Sequence, residues 1–460
     1  MTSLPSRTGG SGFRAFLIVW SGQVLSMTGS AMSQFALSIW AYEKTGLATS
    51  LAMVEFFFQG AMIVATPMAG VWVDRWNRKL TMMLSDLLAV SATIGILVLY
   101  RLGYLAIWHL YVAGVINGIG QAFQWPAYSA AITQMVPKEQ YARAGGLMSL
   151  AESGAVILAP ILAGLLIGAI RVDGILLIDI LTFGFAFGAL LAITVPSPVP
   201  QVRQQEPMVR QMTFGFRYIA SRTPLLSLLI IYAVTNFVAS IGFPTLTPMV
   251  LARTGNDAGA LATVQSAAGI GGVLGGLRMG VWGGPRHRIL GILLGSTINF
   301  GVMGLIVVLG RSPLWWAAGF LIGECLGGMV NGLSQSIWQV KVPVEIQGRV
   351  FASRRLLSSI IAPLGLVISG PLADRVFEPA MAGNGWLPRV AAPFAGTGPG
   401  TGMALLFFLC CMLGSLASLA GFTMPAVRNL ETLIPDNDTT EPLLVGTEDC
   451  EKGREQGIAP

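Results

Sequence analysis

Of the 460 residues, 53% are hydrophobic and only 11% are charged, and the mean hydropathy is +0.69. Soluble globular domains approach about a quarter charged residues, so an ordinary soluble enzyme or nucleic-acid-binding domain is excluded. The fold class predicted is an all-α polytopic membrane protein, and the net charge of +6 needs an explanation other than nucleic-acid binding.

Twelve apolar segments follow one another near residues 14–41, 47–73, 80–100, 105–135, 144–170, 174–195, 224–250, 258–280, 289–310, 313–340, 351–371 and 401–424. Each is close to the ~20 residues that span a hydrocarbon core. The first is too long for the apolar core of a cleaved signal peptide and is read as a retained span. With residues 1–13 in the cytoplasm, 21 of the 28 Lys and Arg residues fall on the cytoplasmic side, as the positive-inside rule requires. Both termini then face the cytoplasm, and the positive charge reflects topology. The chain divides into a six-helix bundle over 14–195, a linker over 196–222, a second six-helix bundle over 223–424 and a tail over 425–460. The linker is rich in Pro, Gln and Arg, with Phe214 to Ile219 forming an interfacial helix. Residues 372–400 are expected to form a long external loop, and the acidic tail is expected to be disordered.

Within the first span, Gln23, Ser30 and Gln34 fall on one helical face; the fourth span repeats the device with Asn117, Gln121, Gln124 and Tyr128. Tyr232 and Asn236 mark the seventh span, and Glu324, Asn331 and Gln335 the tenth. Polar side chains facing lipid are costly, so these stripes line a cavity or bond to neighbouring helices. An ionised carboxylate in hydrocarbon is also expensive and marks a functional candidate. Glu324, Glu55 and Glu152 are the candidates for carrying a proton or meeting a cation, whereas Asp86 and Asp179, nearer the ends of their spans, read as structural. Two repeated patterns point to duplicated halves: Asn117, Gly118 and Gln121 recur as Asn331, Gly332 and Gln335, and Pro137, Glu139 and Arg143 recur as Pro343, Glu345 and Arg349. With two His residues, no P-loop and no metal-ligand spacing, the sequence offers no enzyme chemistry, cofactor or metal site; Cys325, Cys410 and Cys411 lie inside spans and Cys450 in the tail.

The loop after the second span carries Gly70, Asp74, Arg75, Arg78 and Lys79, with Asn77 where a second Gly is usual. It resembles the signature loop of the major facilitator superfamily of transporters. Asn tolerates the left-handed backbone better than other non-Gly residues, so the turn is expected to survive the change. The resemblance implies two pseudo-symmetric six-helix bundles, alternating access, a monomeric protein, and a substrate cavity lined by spans one, four, seven and ten. It also implies that Asp74 helps to shut the cytoplasmic side against the start of the eleventh span, from Arg349 to Arg355. In the fifth span, Gly146, Ala155, Ala159, Pro160, Ala163 and Gly164 resemble the exporter-associated motif, with Ala for Gly at three positions. Their small side chains are expected to pack against Ala268, Gly272 and Gly276 of the eighth span.

Further residues are similar to the macrolide-efflux-like branch: Trp125 to Tyr128, Trp338 to Pro343, Gln347 to Phe351, Gly370 to Asp374, and the Gly-rich run from Gly396 to Gly402. That branch implies proton-driven export of amphipathic drug-like or macrolide-like small molecules across a bacterial-type cytoplasmic (plasma) membrane, with protons and lipid as partners. One departure stands out: the segment from Gly114 to Gly118 lacks the Arg that many proton-coupled exporters carry in the fourth span. Export of a siderophore or another metabolite, and a transporter-like sensor or partner-binding subunit, remain open as alternatives.

Overall fold

The computed structural model describes residues 9–137, 140–193, 208–343, 346–383 and 385–436. Hydrocarbon offers backbone amides no partner, so a chain this apolar must satisfy them internally; the described residues accordingly form helices and short turns with no strand. The first bundle comprises α1 (Gly9–Thr45), α2 (Ala48–Arg75), α3 (Arg78–Arg101), α4 (Ile107–Met135) and α5 (Tyr141–Ala192). Arg171, at φ 57°, breaks α5 into two arms that match the predicted fifth and sixth spans. In the linker, α6 (Met208–Ala220) packs on the second bundle, which continues with α7 (Thr223–Gly242), α8 (Leu246–Thr254), α9 (Ala258–Trp282), α10 (Arg288–Leu309) and α11 (Pro313–Lys341). It is completed by α12 (Gln347–Ser359), α13 (Ala362–Pro371), α14 (Glu378–Ala382), α15 (Trp386–Ala395), α16 (Thr401–Ala420) and the short α17 (Pro425–Arg428) and α18 (Leu430–Leu433). Among the described residues, ten helical stretches are long and apolar enough to cross a membrane. The longest of them holds two crossings about Arg171, and α4, diluted by Asn117, Gln121 and Gln124, supplies one more, giving twelve. An even number puts the start of α1 and the segment after α16 on one face, called here the terminal face; the opposite face is called distal.

Outside the seam between the bundles, three sequence expectations are corrected. Asn77 does not take the left-handed backbone: at φ −63° it is the N-cap of α3, its Oδ1 accepting the amides of Lys79 at 3.0 Å and Leu80 at 3.3 Å. Residues 372–400 are not an open loop, because a π turn over Leu372–Phe377 leads into α14 and α15, whose Ala391 and Ala395 are buried against Val308 and Leu405. The described start of the tail is also ordered. Val427 and Leu430 are fully buried, Lys341 Nζ donates to the carbonyls of Glu431 and Ile434 and pairs with Asp436, and Glu431 accepts the amide of Ile289 at 3.1 Å. The tail beyond residue 436 lies outside the described residues.

Apolar packing is continuous across the two bundles only toward the distal face, where Ile39, Ala163, Leu261, Phe320 and Phe407 share one cluster. Toward the terminal face it splits into separate clusters, one around Phe16, Met82 and Ile132 and one around Leu228, Ile337 and Trp338. The seam between α5 and α9 shows the same division. A Cβ added at Gly164 would lie 2.8 Å from Ala262 Cβ, one added at Gly269 would lie 2.8 Å from Ile157 Cγ1, and Ser266 Oγ donates to the Ile157 carbonyl at 3.2 Å. Closer to the terminal face, Cβ atoms at Gly146, Gly154, Gly272 and Gly276 would meet nothing within 4 Å. The motif residue Gly164 therefore meets Ala258 and Ala262; of the three expected partners, Ala268 packs on the apolar cluster that holds Ala159 and Ala163, whereas Gly272 and Gly276 lie in the open part of the seam. The molecule is zipped at its distal face and open at its terminal face.

Because the zipped part of the seam has no room, Gly164→Leu is expected to destabilise the protein by about 1–3 kcal/mol through overpacking. Gly272→Leu, which points into open space, should leave the thermal midpoint in detergent unchanged. Equal midpoints for both variants would contradict this description of the seam.

Candidate functional site

A cavity of 1140 Å³ lies between the bundles. Its wall is built mostly from the first bundle: Gln23 and Gln34 of α1, Glu55 of α2, Asn117 and Gln121 of α4, and Glu152, Ala155 and Pro160 of α5. The second bundle contributes chiefly apolar groups, among them Phe243, Pro244 and Leu366. Glu55 is steadied by Gln59, whose Nε2 donates to its Oε1 at 2.6 Å.

Two aspartates read as structural from the sequence also reach this wall. Asp86 of α3 is buried, and both its oxygens accept amide hydrogens: Gln124 Nε2 donates to Oδ1 at 2.8 Å and Gln23 Nε2 to Oδ2 at 3.4 Å, while Gln124 Nε2 lies 3.3 Å from Gln23 Oε1. Asp179, on the second arm of α5, accepts from Ser30 Oγ at 2.9 Å and Thr93 Oγ1 at 3.1 Å. The signal available in the sequence was the spacing of Asp86, Val90 and Thr93, which sets one face of α3 toward the cavity.

Other predicted residues are placed elsewhere. Tyr128 sits in the apolar cluster with Phe16 and Met82, outside the cavity. Glu324, half-buried on α11, lines neither this cavity nor the smaller one described next, its carboxylate lying beside Gly327 near Asn299 of α10. Tyr232, Asn236 and Asn331 line a separate pocket of 160 Å³ within the second bundle, together with Arg354. Gln335 accepts from Arg354 Nη1 at 3.2 Å. In the first turn of α3, Lys79 Nζ donates to the carbonyls of Leu191 at 3.2 Å and Ile193 at 2.7 Å, a cation set at the end of α5. Arg78 opens α3. The side chains of Gly70's neighbours Asp74 and Arg75 lie outside the described residues. Of their expected partners, Arg349 stands 5.6 Å over the Phe214 ring and Arg354 points into the second bundle.

A family described as Major Facilitator Superfamily matches residues 19–366. The chain belongs to that superfamily. It is an integral membrane transporter, and its two helical bundles are the superfamily's transport scaffold rather than an enzyme's. Macrolide efflux protein A of Streptococcus pyogenes is 28% identical over 370 residues, covering 78% of this chain and 90% of that protein. Multidrug efflux pump Tap of Mycolicibacterium fortuitum is 27% identical over 375 residues, covering 78% and 89% respectively. Among solved structures, a bacterial homologue of the human lysosomal transporter Spinster, in an inward-facing and unoccupied conformation, aligns with a TM-score of 0.63 at 16% identity, covering 88% of this chain and 97% of that one. A bacterial homologue of the iron transporter ferroportin aligns with a TM-score of 0.63 at 14% identity over 89% and 98%. These likenesses concern the fold.

Proposed function

We propose that this major facilitator protein exports amphipathic drug-like or macrolide-like compounds from a bacterial cell in exchange for protons. The terminal face is then cytoplasmic, both termini face the cytoplasm, and the conformation described is the inward-open one. The observation that carries the reading is the cavity itself: a large space between the bundles with a chiefly apolar second-bundle wall and, among the described residues, all of its carboxylates in the polar first-bundle wall. Apolar walls suit adaptable binding of bulky amphipathic cargo, while carboxylates at mid-membrane can exchange a proton for a cationic or neutral guest. The names of the efflux relatives support the same cargo class. Coupling is assigned to Asp86, Glu55 and Glu152 at the cavity, with Glu324 behind them because it lies away from it. On closing the cytoplasmic side, Gly146, Gly272 and Gly276 are the small residues left to form the lower half of the seam, and the loop of Gly70, Asp74, Arg75, Arg78 and Lys79 the groups left to latch it.

Efflux of a fluorescent dye and of a macrolide from energised cells tests this reading. Export should fall at least about tenfold when a protonophore collapses the gradient, the scale on which losing the driving force outweighs leak. Export that persists without a proton gradient would remove the coupling, and failure to move any amphipathic compound would remove the cargo class.

A further inference from the structure

The second bundle holds a cation that the transport reading leaves unused. Arg354 lies on the second turn of α12, about 10 Å along the helix from its start at 1.5 Å per residue. Its Nη2 donates to Ser334 Oγ at 2.8 Å and its Nη1 to Gln335 Oε1 at 3.2 Å, and the guanidinium lies 5.0 Å from the centre of the Trp338 ring. Among the described residues no carboxylate stands within ion-pair distance of it. The contrast with Arg253 is informative. That guanidinium donates to two fixed backbone carbonyls, Gly310 at 3.2 Å and Ala395 at 2.6 Å, whereas Arg354 donates to two side chains and lines the 160 Å³ pocket.

The walls of that pocket are amphipathic in the way a ligand site requires. Trp338 is a buried aromatic floor, while Asn236 and Asn331 are exposed polar groups at the rim. Asn236 Nδ2 holds the Ser358 carbonyl at 3.3 Å, which ties α7 to α12 across the opening. A partly desolvated guanidinium without a counter-charge is costly to the protein by itself, and its planar fork fits an oxyanion in two-point contact. Because the bundles are parted at the terminal face, the pocket is reached from that side.

We propose that the Arg354 pocket is a ligand subsite that binds the anionic group, a carboxylate or phosphate, of an amphipathic molecule. It complements the first-bundle cavity, where the fixed charges are carboxylates, so that cargo bearing opposite charges at its two ends spans both bundles. The assignment concerns binding alone and stands whether or not protons drive transport. The same oxyanion chemistry is offered by a cargo molecule and by the headgroup of an anionic lipid.

The test uses the full-length protein in nanodiscs and two probes that differ only at one end, dansyl-leucine with a free carboxylate and dansyl-leucinamide, with empty discs as background. In phosphatidylcholine discs the carboxylate should bind more tightly than the amide. Arg354→Gln should weaken the carboxylate about ten- to hundredfold, the range of a hydrogen bond to a charged group, and should change the amide little. Arg354→Lys, which keeps the charge and loses the fork, should fall between. Retained amide binding by Arg354→Gln shows that the variant is folded, and Asn236→Ala gives a second, milder perturbation that leaves the guanidinium's own bonds intact. Equal weakening of both probes, or no weakening of either, overturns the proposal. Repeating the titration with phosphatidylglycerol in the discs separates the sources. Unchanged carboxylate affinity assigns the subsite to cargo, and competition that disappears in Arg354→Gln assigns it to a lipid headgroup.

Discussion

Replacing Asp374 by Ala is expected to move the protein toward the state open at the distal face by about 2 kcal/mol, roughly a thirtyfold change in the conformer ratio. Asp374 follows α13 in the second bundle, yet its partners belong to the first. Its Oδ1 accepts the amide of Ala48 at 3.0 Å, and its Oδ2 accepts the amide of Thr49 at 2.8 Å and the Thr49 hydroxyl at 2.6 Å. Those amides are among the unpaired donors that begin α2, and Leu47, the residue before them, has no side-chain oxygen with which to cap them. The cap is thus supplied from the other bundle, and its negative charge meets the positive end of the helix. Gly370, one turn earlier, allows the approach: a Cβ there would lie 2.3 Å from Thr49 Cα. Any rocking motion that opens the distal face strips α2 of this cap, so the interaction weights the closed arrangement. Spin labels at exposed Lys44 and Arg375, in a background without other reactive cysteines, should report a growing long-distance population in Asp374→Ala and a smaller one in Thr49→Val. Identical distance distributions in the wild type and both variants would rule out the latch.

Gly370 and Asp374 illustrate what the sequence could and could not disclose. They were legible as marks of a family branch, because they stand as a short fixed pattern, but their contact with Thr49 joins residues more than three hundred positions apart and no local periodicity encodes it. The helices themselves were plain, since apolar runs of spanning length permit little else in hydrocarbon. Arg171 fell in the gap between two such runs, and the structure puts the break there. The stripe on α1 and α4 led to Gln23, Gln34, Asn117 and Gln121 at the cavity because helical spacing alone sets which residues share a face. The same rule misled for Tyr128, whose face on α4 turns toward α1 and α3 near the terminal end, where apolar packing takes it up. Helical wheels give a face and not the neighbour it meets. The matching surface of the α5 seam failed for a different reason, since Gly272 and Gly276 lie on α9 where the bundles are parted, and a sequence is silent on which state of a two-state protein is adopted. Arg354 was hidden by its position. In sequence it stands among the basic residues from Arg349 to Arg355 at the start of a span, and helical spacing does not tell that its side chain turns inward to Ser334 and Gln335.

Asp86→Asn is expected to reduce gradient-driven efflux at least about tenfold while leaving substrate exchange without a gradient nearly intact, the pattern of a lost coupling step rather than a lost binding site. The carboxylate is buried in the cavity wall and satisfied by hydrogen-bond donors alone, Gln124 on one oxygen and Gln23 on the other. That arrangement suits an ionised group, because a charge-assisted bond from each amide replaces lost hydration. A proton arriving at Oδ2 needs an acceptor, and a half-turn of the Gln23 amide would bring its Oε1 to that oxygen at the loss of its 3.3 Å contact with Gln124 Nε2; Gln23, on α1, would thereby tie the protonation of α3 to a helix that lines the cavity. Asp179 differs, since the Ser30 and Thr93 hydroxyls around it can donate or accept by simple rotation and require no such rearrangement. Asn at position 86 resembles the protonated form permanently, so the amide pair has nothing to respond to and the proton has no carrier. Proteoliposomes with an imposed pH gradient separate the two activities: a parallel fall in gradient-driven and exchange flux would reduce Asp86 to a structural role, whereas gradient-driven flux lost alone places it on the proton path, and Gln23→Leu should then show the same split in weaker form.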